Sequence, residues 1–477
     1  MNRPIRRVAL VCLLMIGALL ANSTAFVVLR QNELNESEYN RRVRDADFAT
    51  DRGDILVGTR PVAQSEATRG RFAYRRTYAD GATYAPITGF YSYDRGSAGL
   101  ERSYNRALAG TDDALFVRRL VDLVTGRKTQ GASVTTTIDA KAQEAAVKAL
   151  GKQKGAVVAI EPKTGRILAL VTSPTYDPNT LSGDIDVASK SWEKLTADSS
   201  RPLSNRASSE IYPPGSTFKL ITAAAALENG YQPDTKVDSP TRLKLPGTET
   251  YLPNETNCGG TKVSLTQALN VSCNTAFAQL GIDLGEDAVR EMAEAFGMTG
   301  ERFEMPLRVE GSTVGDIEND AELGVASIGQ QNVQMTPMQA AMVAAAVAND
   351  GTLMRPYLVD QLLAPDLTVI DETDPEEMSQ PVSEQTAGAL TEMMSSVVAN
   401  GSGRAARING VQVAGKTGTA ENDGPDHNWF IGFAGPDDEP RIAVAVFVRN
   451  GGGTGGDTSA PIARQVMQAY LDGQEGG

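Results

Sequence analysis

Residues Tyr212 to Leu220 read YPPGSTFKL, and no other stretch limits the fold as tightly. Pro213 and Pro214 fix their own backbone and Gly215 permits a sharp bend, so the chain must arrive extended, turn, and start a helix near Ser216. The following LITAAAALENG supplies strong helix formers, with Gly230 as a stop. Leu220, Ile221, Ala224 and Leu227 recur at three- and four-residue steps, and alanines fill most other positions, which describes a helix buried on nearly every side. Ser216 and Lys219 then share one face of it. A serine hydroxyl becomes a nucleophile when a base takes its proton, and a lysine amine serves if burial or a nearby cation favours its neutral form. The free N–H groups of the first turn point at charge developing on an attacked carbonyl. A second S-x-x-K, Ser191 to Lys194, lacks both the Pro-Pro-Gly approach and an apolar run behind it.

Composition narrows the chemistry. The 477 residues carry a net charge of -14, with no compensating basic patch, which argues against nucleic acid. One histidine, His427, and three cysteines nearly exclude a His-rich metal site, and no cofactor is expected. No G-x-S-x-G occurs, which disfavours an α/β-hydrolase triad.

Arg3, Arg6 and Arg7 precede an uncharged stretch from Val8 to Leu29, long enough to span a bilayer, and the leading arginines place the N-terminus in the cytoplasm. Small residues between Leu19 and Ala25 leave a cleaved signal peptide as the rival. The return of apolar character at Phe26 to Leu29 favours a retained single-pass anchor in the cell membrane, with everything after it outside. Residues 1–30 thus form a cytoplasmic stub and anchor, and 31–150 a small polar N-terminal module. A helix runs from near Asp139 to Gly151.

At residue 151 the character changes. Gly155 to Thr172 reads as a hairpin, with VVAI and RILALV joined by a Pro-Lys-Thr-Gly turn. Helices are expected at 216–229, 264–284, 286–296, 336–349 and 384–399. Strand signals return only at the end, in VQVAGKTGTAE, NWFIGFAG and RIAVAVFVRN, followed by a helix from Ala460 to about Leu471. The opening hairpin and the three closing strands are expected to share one sheet, with the helices inserted between.

Two further motifs stand in chain order after S-x-x-K. Ser272-Cys273-Asn274 offers a hydroxyl and an amide, and Lys416-Thr417-Gly418-Thr419 opens a strand, where Gly418 would allow close approach of a ligand. Each has a decoy: Ser103 to Asn105 repeats S-x-N, and Lys163 to Gly165 repeats K-T-G in a turn that needs its glycine. The ordered set, spaced 56 and 144 residues apart, is far rarer by chance than any member.

With these three motifs the chain resembles the penicillin-binding proteins and serine β-lactamases. The resemblance covers about 150–477, including YPPGSTFK, SCNTAFAQLG, GQQNVQMTP and AGKTGTAE. More weakly, Arg52-Gly53-Asp54-Ile55 and GLERSYNRALAG (Gly99 to Gly110) look like the pedestal of class B members, although the usual Asp-Arg-Asn does not follow Ile55. The resemblance implies an α+β transpeptidase fold: a five-stranded antiparallel sheet flanked by helices, with a mostly helical insert, preceded by the anchor and pedestal. It further implies that Ser216 attacks the bond between the terminal D-alanines of a peptidoglycan stem peptide, with Lys219 as base. The N–H groups of Ser216 and Thr419 would form the oxyanion hole. Ser272, polarised by Lys416, would pass the proton to the leaving group, Asn274 would hold Lys219 and the substrate, and Thr417, Gly418 and Thr419 would bind the terminal carboxylate. β-Lactams would acylate the same serine.

No Glu-x-x-x-Asn lies between Asn274 and Lys416, so the acyl group should wait for an amine rather than hydrolyse as in a class A β-lactamase. The stretch before the hairpin is too short for a glycosyltransferase domain, so lipid-linked glycan strands should come from a separate membrane enzyme of the SEDS type. A D,D-carboxypeptidase and a penicillin-binding sensor are the alternatives. The glycine-rich NGGGTGGD, Asn450 to Asp457, lacks a phosphate-loop lysine and is read as a loop beside the active site. Cys258 and Cys273 lie in a disulfide-permissive compartment, and either they bridge, or Cys273 packs as a small apolar residue.

Overall fold

The computed structural model describes residues 3–29, 45, 48–126, 130–436 and 439–475. The uncharged run is helical. α1 spans Arg3–Leu29, its most apolar window averages a mean hydropathy of 2.1, and no part of that window is covered by protein, so it is long and apolar enough to cross a membrane.

The N-terminal module is a sheet. β1 (Ile55–Val57), β2 (Arg60–Ala67) and β3 (Tyr74–Tyr78) pair antiparallel in succession, and β4 (Ser133–Thr136) joins β1 in parallel. The two pedestal-like motifs meet beside it. Glu101, fully buried, accepts from Arg52 Nε at 2.7 Å and Arg76 Nε at 2.6 Å, and Arg52 also donates to Asn105 Oδ1 at 2.9 Å. Burial would raise the Glu101 carboxyl, but the two guanidiniums hold it below the ordinary carboxylate range.

α2 (Ala140–Leu150) starts where the Asp139 side chain accepts from the Ala142 N–H, and leads into the hairpin β5 (Gly155–Ile160) and β6 (Ile167–Ser173). The middle of the chain contributes α3 (Lys219–Glu228), α4 (Leu265–Asn270), α5 (Asn274–Leu284) and α6 (Pro337–Ala348). Thr336 caps α6, with proline at its first position. The expected 286–296 helix is present as Glu286–Ala295.

Two expectations are corrected. The 264–284 helix is two helices, broken at 271–273, because Ser272 takes a left-handed conformation with φ 59°. Strands also occur before the C-terminal stretch: β7 (Val359–Leu363) and β8 (Val369–Glu372) join the N-terminal sheet in the order β8-β7-β4-β1-β2-β3. A bulge in β7 between Val359 and Gln361 interrupts the two-residue alternation that would mark the strand.

α7 (Glu384–Asn400) precedes β9 (Gln412–Ala420), β10 (His427–Gly435) and β11 (Ile442–Val448), and α8 (Ser459–Glu475) closes the described chain. The closing strands and the opening hairpin form one antiparallel sheet, β9-β10-β11-β5-β6, as expected. Both faces are covered, which explains the near-continuous apolar runs. Val157, Ala159, Val444 and Val446 pack with Ala146, Ala463 and Met467 of α2 and α8. Ala156, Val158, Ala443 and Ala445 face the core that holds α6, every residue of which is buried. β9 is the edge strand, and that edge carries the site.

Removing the Glu101 carboxylate leaves two buried guanidiniums without a counter-charge. Glu101→Ala should therefore destabilise the chain by about 3–5 kcal/mol. Denaturant unfolding should show this as a lower midpoint, and a wild-type midpoint would mean that the buried triad is not an anchor.

Candidate active site

The Pro-Pro-Gly stretch delivers Ser216 in a 3₁₀ turn, Gly215–Thr217, and the α-helix begins only at Lys219. The turn is fixed on several sides. Trp429 Nε1 of β10 donates to Pro213 O at 3.0 Å, Thr217 Oγ1 to Pro214 O at 2.8 Å, and Gly215 N to Gly329 O at 2.9 Å. Gly215 has φ 52°, and a Cβ there would stand 2.3 Å from Thr419 O, so only glycine brings the turn this close to β9.

Lys219 and Lys416, from opposite walls, are both fully buried and converge on Ser272. Lys219 Nζ donates to Ser272 O at 2.8 Å, to Ser272 Oγ at 3.2 Å and to Asn274 Oδ1 at 2.6 Å. Lys416 Nζ donates to Ser272 Oγ at 2.9 Å and to Thr417 O at 2.7 Å. The Ser216 hydroxyl has no hydrogen-bond partner among the described residues and opens on the cleft, so Lys219 is held by Ser272 and Asn274 rather than by its neighbour on the turn. Burial, and then the Lys416 ammonium, push Lys219 well below the ordinary lysine range. Burial brings Lys416 down to about 7, with Glu255 opposing.

Ser272 reaches this position through the break between α4 and α5. Its N–H donates to Leu269 O at 3.1 Å and the Cys273 N–H to Ala268 O at 2.8 Å, the bond pair that ends a helix through one left-handed residue. A serine in that conformation costs about 1 kcal/mol relative to right-handed backbone. Cys273 turns away from the cleft and is bonded to Cys258, so of the two alternatives the chain takes the bridge. Between these cysteines and β9 lies a cleft of about 280 Å³ lined by Ser216, Asn254, Glu255, Asn274, Thr419 and Glu421, among others.

Thr417 Oγ1 shares a 2.6 Å hydrogen bond with Ser402 Oγ. The room at Gly418 is taken by the serine turn, since a Cβ would lie 2.9 Å from both Pro214 O and Thr217 Cγ2. The glycine-rich loop lies beside the site, as expected, with Gly455 backed onto the Gly418 backbone. The decoys lie elsewhere. Lys163 pairs with Glu439 in an exposed turn, Ser191 and Lys194 sit on a solvated helix, and Ser103 bonds to Gly99 O. Sequence reasoning missed Asn254, Glu255, Ser402 and Glu421. Glu421 is the last residue of AGKTGTAE, one position past the strand that carries the motif, and was legible there, whereas the other three carry no local signal.

The penicillin binding protein transpeptidase domain matches residues 155–468. The chain belongs to the penicillin-binding transpeptidase family. The penicillin binding protein A dimerisation domain matches residues 52–134. Among relatives of this family member, the peptidoglycan D,D-transpeptidase PbpA of Mycolicibacterium smegmatis is 46% identical over 99% of each chain. PbpA of Mycobacterium tuberculosis is 45% identical over 99% of this chain and 100% of its own. The ceftriaxone acyl-enzyme complex of M. tuberculosis penicillin-binding protein A superposes with a TM-score of 0.87 at 45% identity, covering 90% of this chain and 100% of the other. Its penicillin G acyl-enzyme complex gives 0.85 at 46%, covering 88% and 99%.

Two stability outcomes follow from the site. The bridge closes a loop of 15 residues, so reduction should lower unfolding free energy by about 3 kcal/mol; a midpoint insensitive to reductant would remove that role. Lys416→Met replaces a desolvated amine by an apolar chain and should stabilise the fold by about 1–4 kcal/mol at pH 7. Wild-type Lys416 titrates near 7 when folded and near the ordinary lysine value when unfolded. Between those values the unfolded state binds more protons, so wild-type stability rises with pH. The advantage of Lys416→Met should therefore shrink from pH 7 towards pH 10, and a constant advantage would contradict the assignment.

Proposed function

We propose that this chain is a peptidoglycan D,D-transpeptidase, acylated by β-lactams at the same serine, and that its donor is a stem peptide ending in two D-alanines. The observation that carries this reading is the convergence of two buried amines on one hydroxyl beside an unpaired serine. Ser216 Oγ attacks the carbonyl between the terminal D-alanines while neutral Lys219 takes its proton. Main-chain N–H groups of Ser216 and Thr419 stabilise the oxyanion. As the C–N bond breaks, Ser272, held by Lys416, relays the proton to the departing D-alanine, and Asn274 keeps Lys219 in place. Thr417 and Thr419 bind the terminal carboxylate, and Gly418 lets their strand approach the serine turn. An amine from a second stem then takes the acyl group and frees Ser216.

Residues 1–30 serve as stub and anchor, with the N-terminus cytoplasmic as its arginines favour, residues 31–150 as pedestal, and 151–477 as the catalytic part outside the membrane. Because residues 52–134 match a dimerisation domain, glycan polymerisation is assigned to a separate membrane glycosyltransferase of the SEDS type, which supplies strands from lipid-linked precursor.

Labelled penicillin followed by peptide mapping should place a stable adduct on Ser216; label on Ser191, or none, would refute the reading. Lys219→Ala should abolish acylation in a folded protein. Lys416→Ala and Ser272→Ala should slow it by about 10²–10⁴, and Lys163→Ala should leave the rate at the wild-type value. Equal effects of Lys163 and Lys416 would mean that the wrong K-T-G had been chosen.

A further inference from the structure

The cleft has two chemically distinct ends. Its lining includes Ser216, Asn274 and Thr419, and the two buried amines lie behind these, bonded to Asn274 and Ser272, which suits an anionic group there. On its walls stand two carboxylates, Glu255 and Glu421, both exposed and neither engaged in an ion pair or side-chain hydrogen bond among the described residues. They are not on loose chain. Asn254, next to Glu255, accepts from Thr275 N at 2.9 Å and donates to Thr275 Oγ1 at 2.9 Å and to Pro240 O at 3.0 Å. Three residues beyond Glu255, Cys258 is bonded to Cys273. Glu421 directly follows β9, the strand that carries Lys416 and Thr419. Glu421 thus directly follows the strand of one motif, Glu255 lies in a loop tied by Asn254 and Cys258 to the segment of another, and Glu255 is near enough to act electrostatically on Lys219 and Lys416.

Transpeptidation needs a second substrate whose charge is opposite to the donor's end. The donor presents a carboxylate, whereas the acceptor amine arrives in neutral water as an ammonium. We propose that Glu255 and Glu421 are acceptor-binding residues, which pair with the ammonium of the incoming stem peptide and select amines over water and hydroxyl acceptors. This inference rests on the transpeptidase reading and extends it to the second substrate. The carboxylates act in binding. The ammonium gives one proton to solvent, and the neutral nitrogen then attacks the acyl carbon. The C–N bond forms, the C–Oγ bond breaks, and the second nitrogen proton returns to Ser216 Oγ.

The test follows the partition of one acyl-enzyme, which cancels any change in its rate of formation. Full-length wild type, Glu255→Gln and Glu421→Gln are acylated with a D-alanyl thioester in the presence of D-alaninamide or its neutral isostere D-lactamide, and the amide, ester and hydrolysis products are quantified. The preference for D-alaninamide over D-lactamide should fall about fivefold in each variant, the scale of one exposed ion pair. In the wild type, added salt should reduce the preference. Glu255→Asp, which restores the charge, should recover part of the loss. A preference equal to wild type in both variants, or an equal loss of both acceptors, would overturn the assignment. If wild type forms no acyl-enzyme with the thioester or with labelled penicillin, the transpeptidase reading itself falls and takes the acceptor assignment with it.

Discussion

Two amines facing one hydroxyl in a dry interior are the constraint on which the rest of the structure depends. Lys219 and Lys416 each donate to Ser272 Oγ, and neither has measurable exposure. A lysine in water is cationic, but two ammonium groups cannot share one desolvated contact, so the site must hold at least one of them neutral. A neutral amine is the kind of base that the role proposed for Ser216 requires. The apolar enclosure of α3, unusual for a helix bearing a lysine, is the source of this chemistry, because only a helix buried on nearly every side keeps Lys219 away from water.

Bringing the second amine to the same point requires an edge. β9 lies at the margin of its sheet, where unpaired backbone is ordinarily a liability. Here the serine turn covers that margin, and it fits only because Gly215 and Gly418 remove the side chains that would hold the two segments apart. The third member, Ser272, sits at a helix terminus in a conformation that serine disfavours. The disulfide at its neighbour and the Asn254 contacts brace that terminus from outside the cleft, so the strain is held by the surroundings.

The three motifs, their order and the sheet shared by the opening hairpin and the closing strands were legible because each rests on local chemistry: prolines before a helix, a glycine in a strand, β-branched runs between turns. The helix break at Ser272 was not. Asn270 to Thr275 is a run of weak helix formers, but Val271, Ser272 and Cys273 contain neither glycine nor proline, so nothing local announces that the left-handed residue is a serine. The Glu101 triad was half visible, as two stretches resembling a pedestal, but Arg76 gave no sign that it would complete the ion pairs across 25 residues. Glu255 and Ser402 were invisible for the same reason, since they reach the cleft through long-range packing. Gly418 was read as room for a ligand, and the room is filled by the chain itself.

The shared sheet of the N-terminal module carries a consequence for ancestry. β7 and β8, from 359–372, complete a sheet whose other four strands come from residues 55–136. A genetic crossover anywhere between those stretches would pair one parent's β4 with the other parent's β7, and the backbone ladder between them would have to tolerate a foreign register. Module and catalytic part are therefore expected to descend together through recombination, inherited as a linked pair although the gene separates their partner strands, from Thr136 to Val359, by 223 positions.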